Sequence, residues 1–337
     1  MPRLAYVDDS LPGISRRKRG RYWQYFDAKG ERIADREEID RLNRLAVPPA
    51  YSDVWLCPSP HGHIQATGYD DRGRKQYRYH ADFRAAQDAA KYERCVDFGR
   101  ALPLIRARVE CDLASRAPTR EAVLAAIVRL LDAGHVRIGN REYAEANKSF
   151  GATTLRDRHA RFAGSRLMLE YKAKSGKMRR LTINDRSLAR MVKRCQDLPG
   201  QQLFQYLDAD GVRRAVGSAE VNDYIREAMG GDFTAKHFRT WGASVIAFIA
   251  LADAGDAPLS LAALLEPVAE ALGNTPAIAR KSYVHPALLE LCKAGARAQF
   301  GGLTLPRATK YLSRHERGLI AFLDQLAERA GASARAA

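Results

Sequence analysis

Arg166-Leu-Met-Leu-Glu-Tyr171, Lys172-Ala-Lys174-Ser-Gly-Lys177 and Met178-Arg-Arg-Leu-Thr-Ile183 follow one another without a break. Two strand-like runs flank a short Lys-Ser-Gly-Lys tip, which is the signal of a β-hairpin. The hairpin is an island, because the sequence from about residue 86 onward is mainly helical. Arg120 to Ala133 predicts a helix with Thr119 as N-cap and Gly134 just past its end. Leu188, Met191, Val192 and Cys195 recur at helical spacing, as do Val221, Tyr224 and Ile225 after Ser218. A longer helix starts near Thr234 and runs to Gly255. A short one begins at Thr275-Pro276, carries Ala277 to Tyr283 and is stopped by Pro286.

Upstream of residue 86 the pattern differs. Tyr22 to Phe26, Val54 to Cys57 and Ile64 to Thr67 read as short strands separated by turns, and Arg36 to Leu45 as a helix ended by Pro48-Pro49. Short connections imply antiparallel pairing. The expected fold class is therefore α+β: residues 1–85 form a small antiparallel β-sheet domain, and residues 86–337 a larger, mainly α-helical domain containing the hairpin.

The chain carries 55 Lys and Arg against 39 Asp and Glu, a formal charge of +16 over 337 residues. Such an excess favours a polyanionic partner, nucleic acid foremost, because Lys and Arg displace the counterions condensed on phosphates. Five cysteines, at 57, 95, 111, 195 and 292, are odd in number and include no CxxC pair, which argues against a disulfide framework and a thiolate zinc site. The beginning MPRLAYVDDS lacks a signal-peptide layout, and the most apolar window, Ser244 to Leu251, is too short for a membrane span. A soluble, cytoplasmic protein is expected. No nucleotide-binding glycine fingerprint and no metal-ligand spacing among the histidines stand out.

Reversible DNA strand cleavage without a cofactor needs a nucleophile that stores the bond energy in a new ester. It also needs cations on the phosphate oxygens and an acid for the departing 5′ oxygen. Three segments supply such side chains. The first is Gly134-His-Val-Arg137-Ile-Gly-Asn140, continuing through Tyr143 to Gly151-Ala-Thr-Thr154. The second is the hairpin tip, and the third is Lys236-His-Phe-Arg239-Thr-Trp241 with Leu272-Gly-Asn274-Thr-Pro276 and Arg280-Lys-Ser-Tyr283. Near the beginning, Arg72, Arg74, Lys75 and Arg78 interleave with Gln76, Tyr77 and Tyr79. On a strand, Lys75, Tyr77 and Tyr79 share one face, a pattern suited to phosphates and base edges. The run Arg16-Arg-Lys-Arg19 with Arg21 reads as a phosphate-binding arm or a charged surface.

Taken together these motifs resemble the bacterial and poxvirus-type branch of the type IB DNA topoisomerases over nearly the whole chain. The resemblance implies a C-shaped clamp that relaxes supercoiled duplex DNA as a monomer, in the cytoplasm and associated with the nucleoid, through a 3′-phosphotyrosyl intermediate without ATP or metal. It makes Tyr283 the nucleophile, Arg137 and Arg239 the phosphate-binding arginines, Lys174 the general acid and Asn274 the occupant of a place where many members have His. It assigns DNA contact to Gln76, Tyr77 and Tyr79, and with them to Asn140, Tyr143, Thr154 and Lys236. Ala173 stands where the family has Gly before the lysine, and His237 where Asp is common. A tyrosine recombinase shares the Arg, Lys and Tyr chemistry and is the nearest alternative; a non-catalytic basic DNA-binding protein is the other.

Overall fold

Short alternating runs and capped helices settle into the expected α+β architecture in the computed structural model, which describes residues 4–255, 257–292 and 304–336. The chain divides into two compact units, Met1–Lys91 and Tyr92–Ala337.

In the first unit, β1 (Ser15–Arg19) and β2 (Tyr22–Phe26) form an antiparallel hairpin, followed by helix α1 (Arg36–Arg44). Strands β3 (Ser52–Leu56), β4 (Ile64–Tyr69) and β5 (Lys75–Tyr79) make an antiparallel sheet in that order. Ile14, Tyr25, Leu42, Val47, Leu56 and Ala66 form the small core. The basic run Arg16–Arg19 is thus a paired strand rather than a loose arm. Arg16 lies 4.0 Å from the Trp23 ring and donates to the carbonyls of Val47 and Pro48, so its charge is spent on the fold.

Helix α2 (Ala81–Leu113) leads on to α3 (Arg120–Gly134), which is buried along most of its length. Thr119 caps α3 as expected, accepting from the Ala122 N–H at 3.3 Å. The far end differs from expectation: Gly134 stays helical and His135 takes the left-handed cap position, with φ 48°. The reason is packing. A side chain on Gly134 would press against Leu181 at 3.0 Å and Ile183 at 3.4 Å, so the glycine is there for closeness and not for its backbone freedom.

Helix α4 (Arg141–Asn147) precedes a sheet of β6 (Ala160–Ala163), β7 (Arg166–Lys172) and β8 (Met178–Asn184), in that order. The predicted hairpin is therefore the inner and one outer strand of a three-stranded sheet. Helix α5 (Arg186–Gln196), the small hairpin of β9 (Gln205–Leu207) with β10 (Arg213–Ala215), and α6 (Ser218–Met229) follow. Next come α7 (Ala235–Ala254), α8 (Leu261–Leu272), α9 (Pro276–Ser282), α10 (Pro286–Glu290) and α11 (Arg314–Ala336). Pro286 does more than stop α9, since it occupies the first turn of α10.

One ion cluster ties α11 to α2, α3 and α7. Arg106 donates to both Asp132 oxygens at 2.8 and 2.9 Å and to Glu316 at 2.7 Å, and the Trp241 indole N–H reaches the same Glu316 oxygen at 3.2 Å. Burial disfavours charge on Glu316, but Arg106 outweighs it and holds the carboxyl below its ordinary range. The pair's contribution is present above the ordinary glutamate pKa and is lost as pH falls through the depressed one. Arg106→Ala strands two largely buried carboxylates and is expected to lower the unfolding free energy by about 3–5 kcal/mol in denaturant melts at neutral pH. A loss below about 1 kcal/mol would show that the cluster is not a structural tie.

Candidate active site

Arg137 leaves the end of α3 on a segment held tightly against residues 151–154. The Arg137 carbonyl accepts from the Ala152 N–H at 2.8 Å, and the Ile138 carbonyl from the Thr153 N–H at 2.7 Å. Only glycine fits at 151, where a Cβ would lie 2.6 Å from the Arg137 oxygen. The side chain of Arg137 emerges from a rigid backbone and donates to Asn274 Oδ1 at 2.6 Å.

Asn274 is placed by the end of α8. Gly273 takes the left-handed cap conformation, with φ 62°, and the Asn274 N–H returns to the Ala269 carbonyl at 2.9 Å. Thr275 then caps α9, accepting from Ile278 N–H at 3.3 Å, with Pro276 in its first turn. The helix ends one residue earlier than predicted. Tyr283 is its C-cap, with non-helical φ −133° and ψ −44°, and the buried Val284 behind it anchors the turn.

Arg239 sits in the first turns of α7 and is only 4% exposed. Its guanidinium donates to the carbonyls of His135 and Leu272, so it fastens the end of α3 to the end of α8. Its charge centre lies 4.8 Å from the centroid of the Tyr283 ring. Burial, helped by repulsion from Arg137, presses its pKa down to about 10, which leaves it charged at neutral pH. Burial alone would raise the pKa of the Tyr283 phenol. The charges of Arg239, Arg137 and Lys174 more than offset that and lower it.

Among the described residues, Asn274 Nδ2 and Arg239 Nε are buried donors without a protein acceptor. Leaving a buried donor unsatisfied costs about 1–3 kcal/mol, and such donors suit an anionic ligand. They belong with a cavity of about 270 Å³ whose lining includes Arg137, Tyr171, Lys177, Arg179, Arg239 and Asn274. Lys174 is exposed at the hairpin tip and does not line it, though its charge is felt at Tyr283. Ala173 is extended, with φ −89° and ψ −173°, so the alanine imposes no strain. The left-handed positions fall on Ser175 and Gly176 instead.

The remaining predicted contacts are spread out. Asn140 caps α4 by accepting from the Tyr143 N–H at 2.8 Å, and Thr154 Oγ1 accepts from the Gly151 N–H at 2.9 Å, so both hydroxyl and amide serve the local fold. Tyr143 is half-buried and Lys236 is exposed. In the first unit Lys75, Tyr77 and Tyr79 do share a face: Lys75 lies 5.6 Å from the Tyr77 ring, and the two tyrosines stack at 5.9 Å. Gln76 points the other way and donates to Asp70 at 3.0 Å. Lys75 is paired with Asp9 at 2.6 Å and Arg74 with Asp70 at 2.6 Å, so the strand's free positive charge is less than its sequence suggests.

Sequence reasoning passed over Arg179 and His135. Arg179 on β8 reaches the carbonyls of Glu270, Ala271 and Gly134, and His135 supplies the carbonyl that holds Arg239. Acceptors that are backbone carbonyls carry no side-chain signature, so no motif could have flagged them.

No three His, Cys, Asp or Glu side chains among the described residues gather as a metal ion would require. No described helix is long and apolar enough to cross a membrane. Residues 80–287 match the family described as "Eukaryotic DNA topoisomerase I, catalytic core", and residues 22–70 match "Bacterial DNA topoisomerase IB, N-terminal domain". The chain is 31% identical over 294 residues to a protein of Acanthamoeba polyphaga mimivirus named "DNA topoisomerase 1B", an alignment covering 83% of this chain and 88% of the viral one.

Proposed function

The chain belongs to the type IB DNA topoisomerases, and from that premise we propose that it relaxes supercoiled duplex DNA through a transient 3′-phosphotyrosyl bond to Tyr283. The observation that carries this reading is the phenol of Tyr283 beside the buried cation of Arg239, with the Arg137–Asn274 pair held by the same helix ends.

Arg137, Arg239 and the amide of Asn274 hold the nonbridging oxygens of the scissile phosphate. The Tyr283 phenol releases its proton to water, the charges of Arg239, Arg137 and Lys174 favouring the ionised oxygen, and that oxygen attacks phosphorus. The bond from phosphorus to the 5′ oxygen breaks, and that oxygen takes a proton from the Lys174 ammonium. The freed end turns, supercoils dissipate, and the 5′ hydroxyl attacks the phosphotyrosyl ester to restore the strand and release the phenol. One ester is exchanged for another, so no external energy is required, and fixed positive charge supplies the stabilisation a metal would give elsewhere. Tyr77, Tyr79 and Gln76 of the first unit, with Asn140, Tyr143, Thr154 and Lys236 of the second, contact the duplex, and the enzyme acts as a monomer on DNA in the nucleoid.

Relaxation of supercoiled plasmid in EDTA without ATP is the direct test. Undiminished relaxation with fewer than one enzyme per plasmid is expected, since one monomer turns over on one site after another. Loss of activity on chelation, or a need for paired sites and several subunits, would overturn the proposal.

A further inference from the structure

We propose that Arg179 is the positioning residue for Lys174: it fastens the second strand of the hairpin to the helices that carry the phosphate-binding groups, and so keeps the acid in register with the 5′ oxygen. The inference rests on the reading of Lys174 as general acid.

Arg179 lies on β8 directly opposite Tyr171 and five residues beyond Lys174. It donates to the carbonyls of Glu270 at 2.9 Å and Ala271 at 2.5 Å on the last turn of α8, and to Gly134 at 3.3 Å on the last turn of α3. Carbonyls at helix C-termini lack partners within the helix and carry partial negative charge, so a guanidinium is a fitting clamp. Three residues beyond α8's Ala271 comes Asn274, and three beyond Gly134 comes Arg137. One side chain therefore links the acid's hairpin to the carriers of both other groups.

The helix ends do not depend on this link. Arg239 already joins α3 to α8 through His135 and Leu272, from a wholly different element. The hairpin does depend on it. Strand β7 has its own anchor, the Lys172 carbonyl accepting from the Phe150 N–H at 2.8 Å, together with the buried Tyr171 ring. Residues 174–178 are exposed and close on their own hairpin, through the Ala173 N–H to the Lys177 carbonyl at 2.8 Å and the pairing of Met178 with Lys172. Arg179 is the first residue of β8 beyond them whose side chain reaches outside the hairpin, so without it the tip shifts and Lys174 loses its place while the phosphate-binding groups keep theirs.

The test uses single-turnover cleavage of a duplex carrying either oxygen or sulfur at the 5′ bridging position of a site the enzyme cleaves. With sulfur, the phosphorus–sulfur bond breaks and a thiolate leaves without needing a proton, because thiols are far more acidic than alcohols. Arg179→Ala is expected to cleave the oxygen substrate about 10–100-fold slower than wild type. On the sulfur substrate it should come within about threefold of wild type. Arg179→Lys, which keeps the charge but cannot span three carbonyls, should show the same selectivity with a smaller loss, and it carries the test if Arg179→Ala does not fold. Equal slowing on both substrates, or no slowing on either, overturns the proposal. Lys174→Ala run alongside separates the two claims. If sulfur fails to restore Lys174→Ala, the acid assignment falls and this inference with it; if sulfur restores Lys174→Ala but not the Arg179 variants, only this inference falls.

Discussion

Tyr283→Phe is expected to bind duplex DNA with nearly wild-type affinity and salt dependence while forming no covalent adduct and relaxing no plasmid. The substitution deletes one oxygen and leaves the ring that packs 4.8 Å from the Arg239 guanidinium, so the helix end and the arginine's carbonyl contacts remain. Binding comes mostly from Lys and Arg on phosphates and does not need the phenol. Cleavage in the proposed mechanism does, because the phosphoryl bond is stored on that phenol oxygen; Tyr171, the other phenol at the cavity, has its pKa raised by burial, whereas that of Tyr283 is lowered. Removing a nucleophile of this kind lowers turnover by at least about 10⁴-fold. Labelled DNA quenched in denaturant should give a slow-moving protein–DNA band with the wild type and none with the variant. A Phe variant that still relaxes DNA would reassign the nucleophile. The lowered pKa of the phenol adds a second expectation. With the neighbouring positive charges favouring its ionised form, wild-type cleavage should reach its plateau at lower pH than a free phenol would allow.

Where the sequence was legible, the signal was local. Thr119, Thr275-Pro276 and Gly255 marked helix boundaries because capping is decided within a few residues. The hairpin was visible for the same reason. Tertiary demands were not. Gly134 looked like a helix terminator, yet its missing side chain makes room for Leu181 and Ile183, and the turn moved on to His135. Strands β6, β9 and β10 escaped notice because runs of three or four residues leave no periodicity to read. The residues proposed for catalysis were legible as types in order, and the structure brings Arg137, Arg239, Asn274 and Tyr283 to the same two helix ends. It also shows what no motif encodes: the carbonyls of His135 and Leu272 that hold Arg239, and the contacts of Arg179 that fasten β8 to the same helix ends.

That arrangement makes Arg137 and Asn274 a single unit, with a measurable consequence. A guanidinium can only donate, so its bond at 2.6 Å requires the oxygen of the Asn274 amide to face Arg137 and turns the buried Nδ2 away from it, free to donate to phosphate. In the proposed mechanism Arg137→Ala removes a charge from the transition state and also releases the amide from the orientation that its bond to Arg137 fixes. Loss of a preorganised donor of this kind lowers the rate by about 10²–10³-fold, and cleavage by Arg137→Ala should fall by at least that much, with DNA affinity lowered only by the loss of one phosphate contact among many. Asn274→Ala should cost less, because an uncharged amide contributes a weaker hydrogen bond than a guanidinium. The decisive measurement is the pair. If Arg137 orients Asn274, adding Asn274→Ala to Arg137→Ala should slow cleavage by much less than Asn274→Ala does in the wild type, a coupling on the order of 1 kcal/mol. Strictly multiplicative effects would mean that the two side chains act on the phosphate independently and that their contact has no role in the reaction.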